Sequence, residues 1–120
     1  MTYWGTDLAI DAGVCNPSSI RDAEHIKEFA RDLVDAIGMK AYRDPLVVHF
    51  GTDGKMGYTL VQLIETSSIT CHFAEDSASL FLNCFSCIPF DKMVVREMVK
   101  KYFDPQIILM NVLTRHVPEL

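Results

Sequence analysis

The pattern of this 120-residue chain predicts an α+β fold, a two-layer sandwich of one antiparallel sheet with two helices on one face. Two segments repeat apolar residues at the spacing of an amphipathic helix. The segments around them read as short strands, so that the order is strand, helix, strands, helix, strand. The length sets one domain, 1–120, with room for one core.

Residues 6–14 read as a first strand, with partly alternating apolar and polar positions. Asn16-Pro17-Ser18-Ser19 marks a turn and the start of a helix, with Ser18 or Ser19 as its cap and Asp22 and Glu24 at its positive end. Ile26, Phe29, Ala30, Leu33 and Ile37 form the apolar face of this helix, and Gly38 is a left-handed stop. Further strands are expected at 46–50, 58–65, 69–73 and 80–87, with a turn at 51–55. Asp91 caps a second helix running to about Tyr102, and a last strand covers 107–113. The fifth strand is apolar on both faces. The sheet face away from the helices therefore needs a cover, which a second copy of the chain supplies most simply.

Composition excludes several classes. Net charge is -5, and no basic stripe interleaves with aromatics, so nucleic acid is not an expected partner. No apolar run is long enough to span a membrane, and the first residues carry no basic region followed by an apolar block. These features lead to the expectation of a cytoplasmic protein whose four cysteines are reduced.

The chemistry concentrates in Glu65-Thr66-Ser67-Ser68-Ile69-Thr70-Cys71-His72 and in Cys84-Phe85-Ser86-Cys87. A serine hydroxyl can attack the carbonyl before it and convert an amide to an ester. Elimination then breaks the chain and leaves a pyruvoyl group on the new N-terminus. Such a group captures a substrate amine and draws off electrons as carbon dioxide leaves. Ser67 can serve as that nucleophile, His72 as the proton carrier and Cys87 as the donor that reprotonates product. Each has an ordinary alternative: Ser67 and Ser68 suit a turn, His72 a half-buried strand position, and Cys87 a small apolar site. Cys71, His72, Cys84 and Cys87 as a zinc site is the rival constellation. Positions three apart on a strand point to opposite faces, which argues against shared coordination.

At these residues the chain resembles the short, prokaryotic class of S-adenosylmethionine decarboxylase proenzymes over nearly its whole length. That family places its catalytic histidine five residues after its pyruvoyl serine and its catalytic cysteine twenty after, the spacing of Ser67, His72 and Cys87. The resemblance implies a pyruvoyl group derived from Ser67, processing assisted by Thr66, Thr59 and His72, and proton donation by Cys87. It also implies a homodimer as the building block of a polyamine-biosynthetic enzyme acting on a small amino-acid substrate. Substrate-binding roles fall on Asp76, a shortened counterpart of a ribose-binding acid, and on Glu65 and Ser68 beside the serine. Where the family has an adenine-stacking aromatic the chain has Asp53, and Phe50 is the nearest candidate. Loss of such stacking weakens nucleoside binding by roughly 1–3 kcal/mol per base. S-adenosylmethionine is the default substrate that the resemblance implies, and the added acids suit a more cationic amino acid such as ornithine or arginine as the variant. The alternative is an unprocessed relative acting as a binding or regulatory subunit.

Overall fold

Alternation along the inner strands decides the architecture. In the computed structural model, which describes residues 2–119, the strand β1 (Thr2–Gly13) buries Leu8, Ile10 and Ala12. The helix α1 (Ala23–Ala36) and the edge strand β2 (Leu46–Phe50) follow. Next come β3 (Gly57–Ile64), which buries Leu60 and Ile64, and β4 (Ser67–Ala74), which buries Ile69, Cys71 and Phe73. After them β5 (Ser79–Ser86) buries Leu80, Leu82 and Cys84. The helix α2 (Lys92–Phe103) and the strand β6 (Ile107–Val117) complete the chain. The sheet order is β2-β3-β4-β5-β1-β6, and every neighbouring pair is antiparallel.

The buried apolar strand residues named above share one sheet face, and both helices lie on it. Ile26, Phe29, Ala30 and Leu33 of α1 and Val95, Val99 and Phe103 of α2 join the same core. Phe103 links the layers, with its ring 4.8 Å from that of Phe29 and 5.1 Å from that of Phe73. The predicted α+β sandwich is therefore the observed fold.

Element ends differ from expectation at three places. Ser18 and Ser19 belong to a short 3-10 turn, and α1 begins at Ala23 with Asp22 as cap, accepting from the backbone N–H of Glu24 and His25. The Asp22 carboxylate reaches two orphan donors at once, which a serine hydroxyl at 18 or 19 does not. Strand β1 begins four residues earlier than expected, and β6 runs on to Val117 because it pairs with that longer β1. The Asp91 cap of α2 and the left-handed Gly38 after α1 lie where the sequence placed them.

One buried group is left incomplete. Gln62 points toward the core face, and its Nε2 donates to the carbonyls of Arg43 at 3.0 Å and Leu63 at 2.8 Å. Among the described residues its Oε1 has no donor, a deficit that costs about 1–3 kcal/mol.

The opposite sheet face carries Leu46, Phe50, Leu63, Phe81, Leu109 and Leu113, all exposed. Leu109 and Leu113 are each more than half exposed, at 59% and 58%. Among the described residues, no helix is long and apolar enough to cross a membrane.

Candidate active site

Strand β4 carries the candidate residues in two groups, one at each end. At its start, a two-residue turn of Glu65 and Thr66 joins β3 to β4, with Ile64 paired to Ser67. Such turns favour glycine or asparagine because they need positive φ. This one has neither, and the unusual torsion falls on Ser67, whose φ is +157°. A non-glycine residue held in such a region stores strain of about 1–3 kcal/mol. The strain sits on the residue that follows the Thr66–Ser67 peptide.

The Thr66 carbonyl on that peptide accepts the Cys87 backbone N–H at 3.0 Å. On the other side of the turn, the Thr66 hydroxyl lies 2.9 Å from the buried Ser86 hydroxyl and donates to the Met39 sulfur at 3.3 Å. The Ser86 Oγ in turn accepts the Ile88 N–H at 3.1 Å. This network fixes the start of the segment carrying Cys87. Gly5 allows it space, since a Cβ there would stand 2.6 Å from the Ser86 carbonyl oxygen. Glu65 is exposed and pairs with Lys40 at 3.7 Å. Ser68 lies opposite Phe85 and Leu63, on the face away from the helices.

Near the far end of β4, His72 lies opposite Thr59 of β3 and Phe81 of β5. Its Nδ1 is 3.1 Å from Thr59 Oγ1, so the hydroxyl fixes which ring nitrogen is free to work. A cavity of about 400 Å³ opens here, lined by Phe50, Lys55, Thr59, His72 and Phe81 among others. That is a size suited to a small ligand. Gly57 lines it as well, and a Cβ on Gly57 would fall 1.7 Å from the Phe73 carbonyl oxygen, so only glycine lets β3 approach β4 there. Asp76 lies at the rim, its carboxylate beside Gly54. Lys55 sets a cation beside the acids expected there.

The expectation that imidazole and thiol converge on one serine is not met within a single chain. Ser67 and Cys87 are neighbours. His72 is five strand residues further on, about 16 Å at 3.3 Å per residue. His72 and Cys87 share the face away from the helices, whereas Ser67 has the parity of the core positions. The odd spacing of five signals this in the sequence, because strand side chains alternate. Sequence reasoning also missed Ser86 and Met39; a second hydroxyl next to Cys87 was the available sign.

The four cysteines and His72 do not gather. Cys71 and Cys84 lie in the core, and no three metal-ligating side chains converge among the described residues. Burial pushes the Cys84 thiol up to about 12 and Cys15 to about 11, and raises Cys71 well above its ordinary value. Such thiols stay protonated and inert. Cys87 is half-buried and opens toward the uncovered face.

Comparison with known proteins gives two findings. A family model described as S-adenosylmethionine decarboxylase matches residues 6–116. The fold superimposes on the adenosylmethionine decarboxylase of Aquifex aeolicus VF5 with a TM-score of 0.82 at 18% identity, covering 99% of this chain and 96% of that one. No curated protein sequence matches.

Proposed function

We propose that this chain, which belongs to the S-adenosylmethionine decarboxylase family of pyruvoyl-dependent carboxy-lyases, gains its electrophile by cleaving itself between Thr66 and Ser67. The observation that carries this reading is the strained Ser67 next to a carbonyl already held by the Cys87 N–H. Attack of Ser67 Oγ on the Thr66 carbonyl carbon puts negative charge on the oxygen which that N–H faces, as in an oxyanion hole. The C–N bond then breaks to give an ester. Loss of the Ser67 α-proton expels Thr66 as a carboxylate and leaves a dehydroalanine, which water converts to the pyruvoyl group with release of ammonia. The residues present fit this group: a serine follows the peptide to be broken, and the Cys87 N–H on the Thr66 carbonyl supports its formation. Once formed, the group supplies an electron sink for decarboxylation.

In this reading the chain's own residues supply the proton transfers and the binding. Cys87 delivers the proton to the product carbon, and Thr59 orients His72. Phe50, Asp76, Glu65 and Ser68 contribute to holding the substrate. Because His72 is about 16 Å from Ser67 along the strand, the working site joins the Ser67 end of one chain to the partner's His72 in a homodimer. The exposed apolar face, which carries His72 and Cys87, supports this assembly. S-adenosylmethionine is the first substrate to test. Asp53 in place of a stacking aromatic favours ornithine or arginine as the variant, and Lys55 in the cavity opposes it.

Intact mass of the purified chain, combined with a decarboxylation assay on the three amino acids, tests the proposal. Two fragments divided at Thr66–Ser67 and carbon dioxide release from one substrate are expected. An intact chain inactive on all three overturns it and favours the second reading, a non-catalytic relative. That reading draws on Glu65 being engaged with Lys40 and on the missing stacking aromatic.

A further inference from the structure

On the helix side of the sheet, behind the turn that carries Thr66, a cavity of about 370 Å³ lies between α1 and the 39–45 segment. Arg31 and Asp35 of α1 and Arg43 and Asp44 of the segment line it, and none of these four forms an ion pair among the described residues. Gln62 contributes to its floor, with the Oε1 that lacks a donor. The cavity therefore presents two cations and two anions outside any ion pair, above a buried acceptor that lacks a donor. A simple anion would face Asp35 and Asp44 and leave Oε1 unfilled. A simple polyamine would face Arg31 and Arg43. A molecule with an ammonium and a carboxylate on adjacent atoms answers all five groups.

The same cavity adjoins the cleavage turn. Met39 lines it, and the Met39 sulfur accepts from the Thr66 hydroxyl at 3.3 Å. The Lys40 carbonyl accepts the Glu65 N–H at 2.9 Å.

We propose that this cavity is a regulatory binding site for a small zwitterion of the α-amino-acid class. Its carboxylate lies against Arg31 and Arg43, and its ammonium against Asp35, Asp44 and Gln62 Oε1. Gln62 Oε1 is buried beneath the exposed 41–44 rim, which the Tyr42 N–H to Leu63 carbonyl and Gln62 Nε2 to Arg43 carbonyl bonds tie to β3, so the ammonium reaches Oε1 as those bonds open. Occupancy stiffens the 39–45 segment and, through Met39 and Lys40, the turn around Thr66. The site itself stands apart from the decarboxylase reading; only the consequence for cleavage rests on it.

The test is calorimetric titration of the full chain, as Ser67→Ala so that it stays whole, with L-methionine, its decarboxylated amine and its deaminated acid. L-Methionine binds, and the amine and acid bind roughly tenfold or more weakly, the cost of one lost charge-assisted contact. Arg31→Gln, on the exposed helix surface, and Arg43→Gln each weaken L-methionine by about the same factor. His72→Ala, on the other face, leaves its affinity unchanged. L-Methionine also slows hydrogen exchange at the amides of 65–68, and Met39→Leu removes that slowing while binding persists. Absence of binding, equal binding of the three compounds, or weakening by His72→Ala alone overturns the site. Binding without slowed exchange at 65–68 overturns the coupling. Neither readout requires cleavage, so a chain that never cleaves still tests the site.

Discussion

At the Ser67 end of β4 the polar groups are cross-linked around the buried Ser86, whereas at the other end His72 is exposed beside a cavity. Ser86 and Thr66 hold each other under the turn, the Cys87 N–H holds the Thr66 carbonyl, and the strain rests on Ser67. His72 has one hydroxyl partner and an open cavity lined by Phe50 and Phe81. The difference matches two tasks. Breaking one peptide requires a fixed geometry around a single carbonyl. Moving protons for an exchanging ligand requires access. In the proposed reaction neither end acts alone.

The largest effect belongs to the strained end. Ser67→Ala removes the nucleophile and abolishes cleavage and decarboxylation, whereas Ser68→Ala leaves cleavage intact, as read by intact mass. Cleavage that survives Ser67→Ala and is lost in Ser68→Ala transfers the role to the neighbour. At the accessible end, His72→Ala slows cleavage by about 10²–10⁴-fold, the usual contribution of a general base. A time course on a denaturing gel measures it, and an unchanged rate separates His72 from processing.

Gly57→Ala bears on how close β3 and β4 must approach near His72. Its Cβ meets the Phe73 carbonyl, so the variant loses about 1–3 kcal/mol in urea unfolding, the range for overpacking. Unchanged stability places the strands further apart than described. Thr59→Ala removes a single hydrogen bond to His72. It lowers the processing rate by about fivefold, in line with a net bond of roughly 1 kcal/mol.

The smallest effect separates the core thiols from Cys87. The folded chain keeps Cys84 and Cys15 protonated up to about 12 and about 11, whereas the unfolded chain releases these protons near their ordinary value of 9.0. The folded state thus binds more protons above that value. Stability is fully present below pH 9 and falls as pH rises through 11 and 12. In the native protein at mildly alkaline pH, an alkylating reagent modifies Cys87 first. Equal modification of all four thiols contradicts the buried positions of Cys15, Cys71 and Cys84.

Much of this was legible before the fold. Apolar residues at helical spacing in α1 and α2 identified the helices, and Leu80, Leu82 and Cys84 against Phe81 and Phe85 identified a strand with two apolar faces. The spacing of Ser67, His72 and Cys87 led to the family. Two things were not legible. The start of α1 depends on whether Asp22 or Ser19 reaches the free N–H groups, which similar residue types leave open. The Glu65–Thr66 turn depends on contacts far apart in sequence, from Met39 to Thr66 to Ser86, which no local pattern encodes. The split between Ser67 and His72 was readable from their odd spacing, because a regular strand sends such positions to opposite faces.

Co-expression of two differently tagged variants, one Ser67→Ala and one His72→Ala, tests the division of labour directly. If the site joins one chain's serine to the partner's imidazole, the His72→Ala chain is cleaved in mixed dimers and the Ser67→Ala chain is not. If wild-type chains cleave and the mixture yields no cleaved His72→Ala chain, each chain processes alone, and the two-ended account of β4 is wrong.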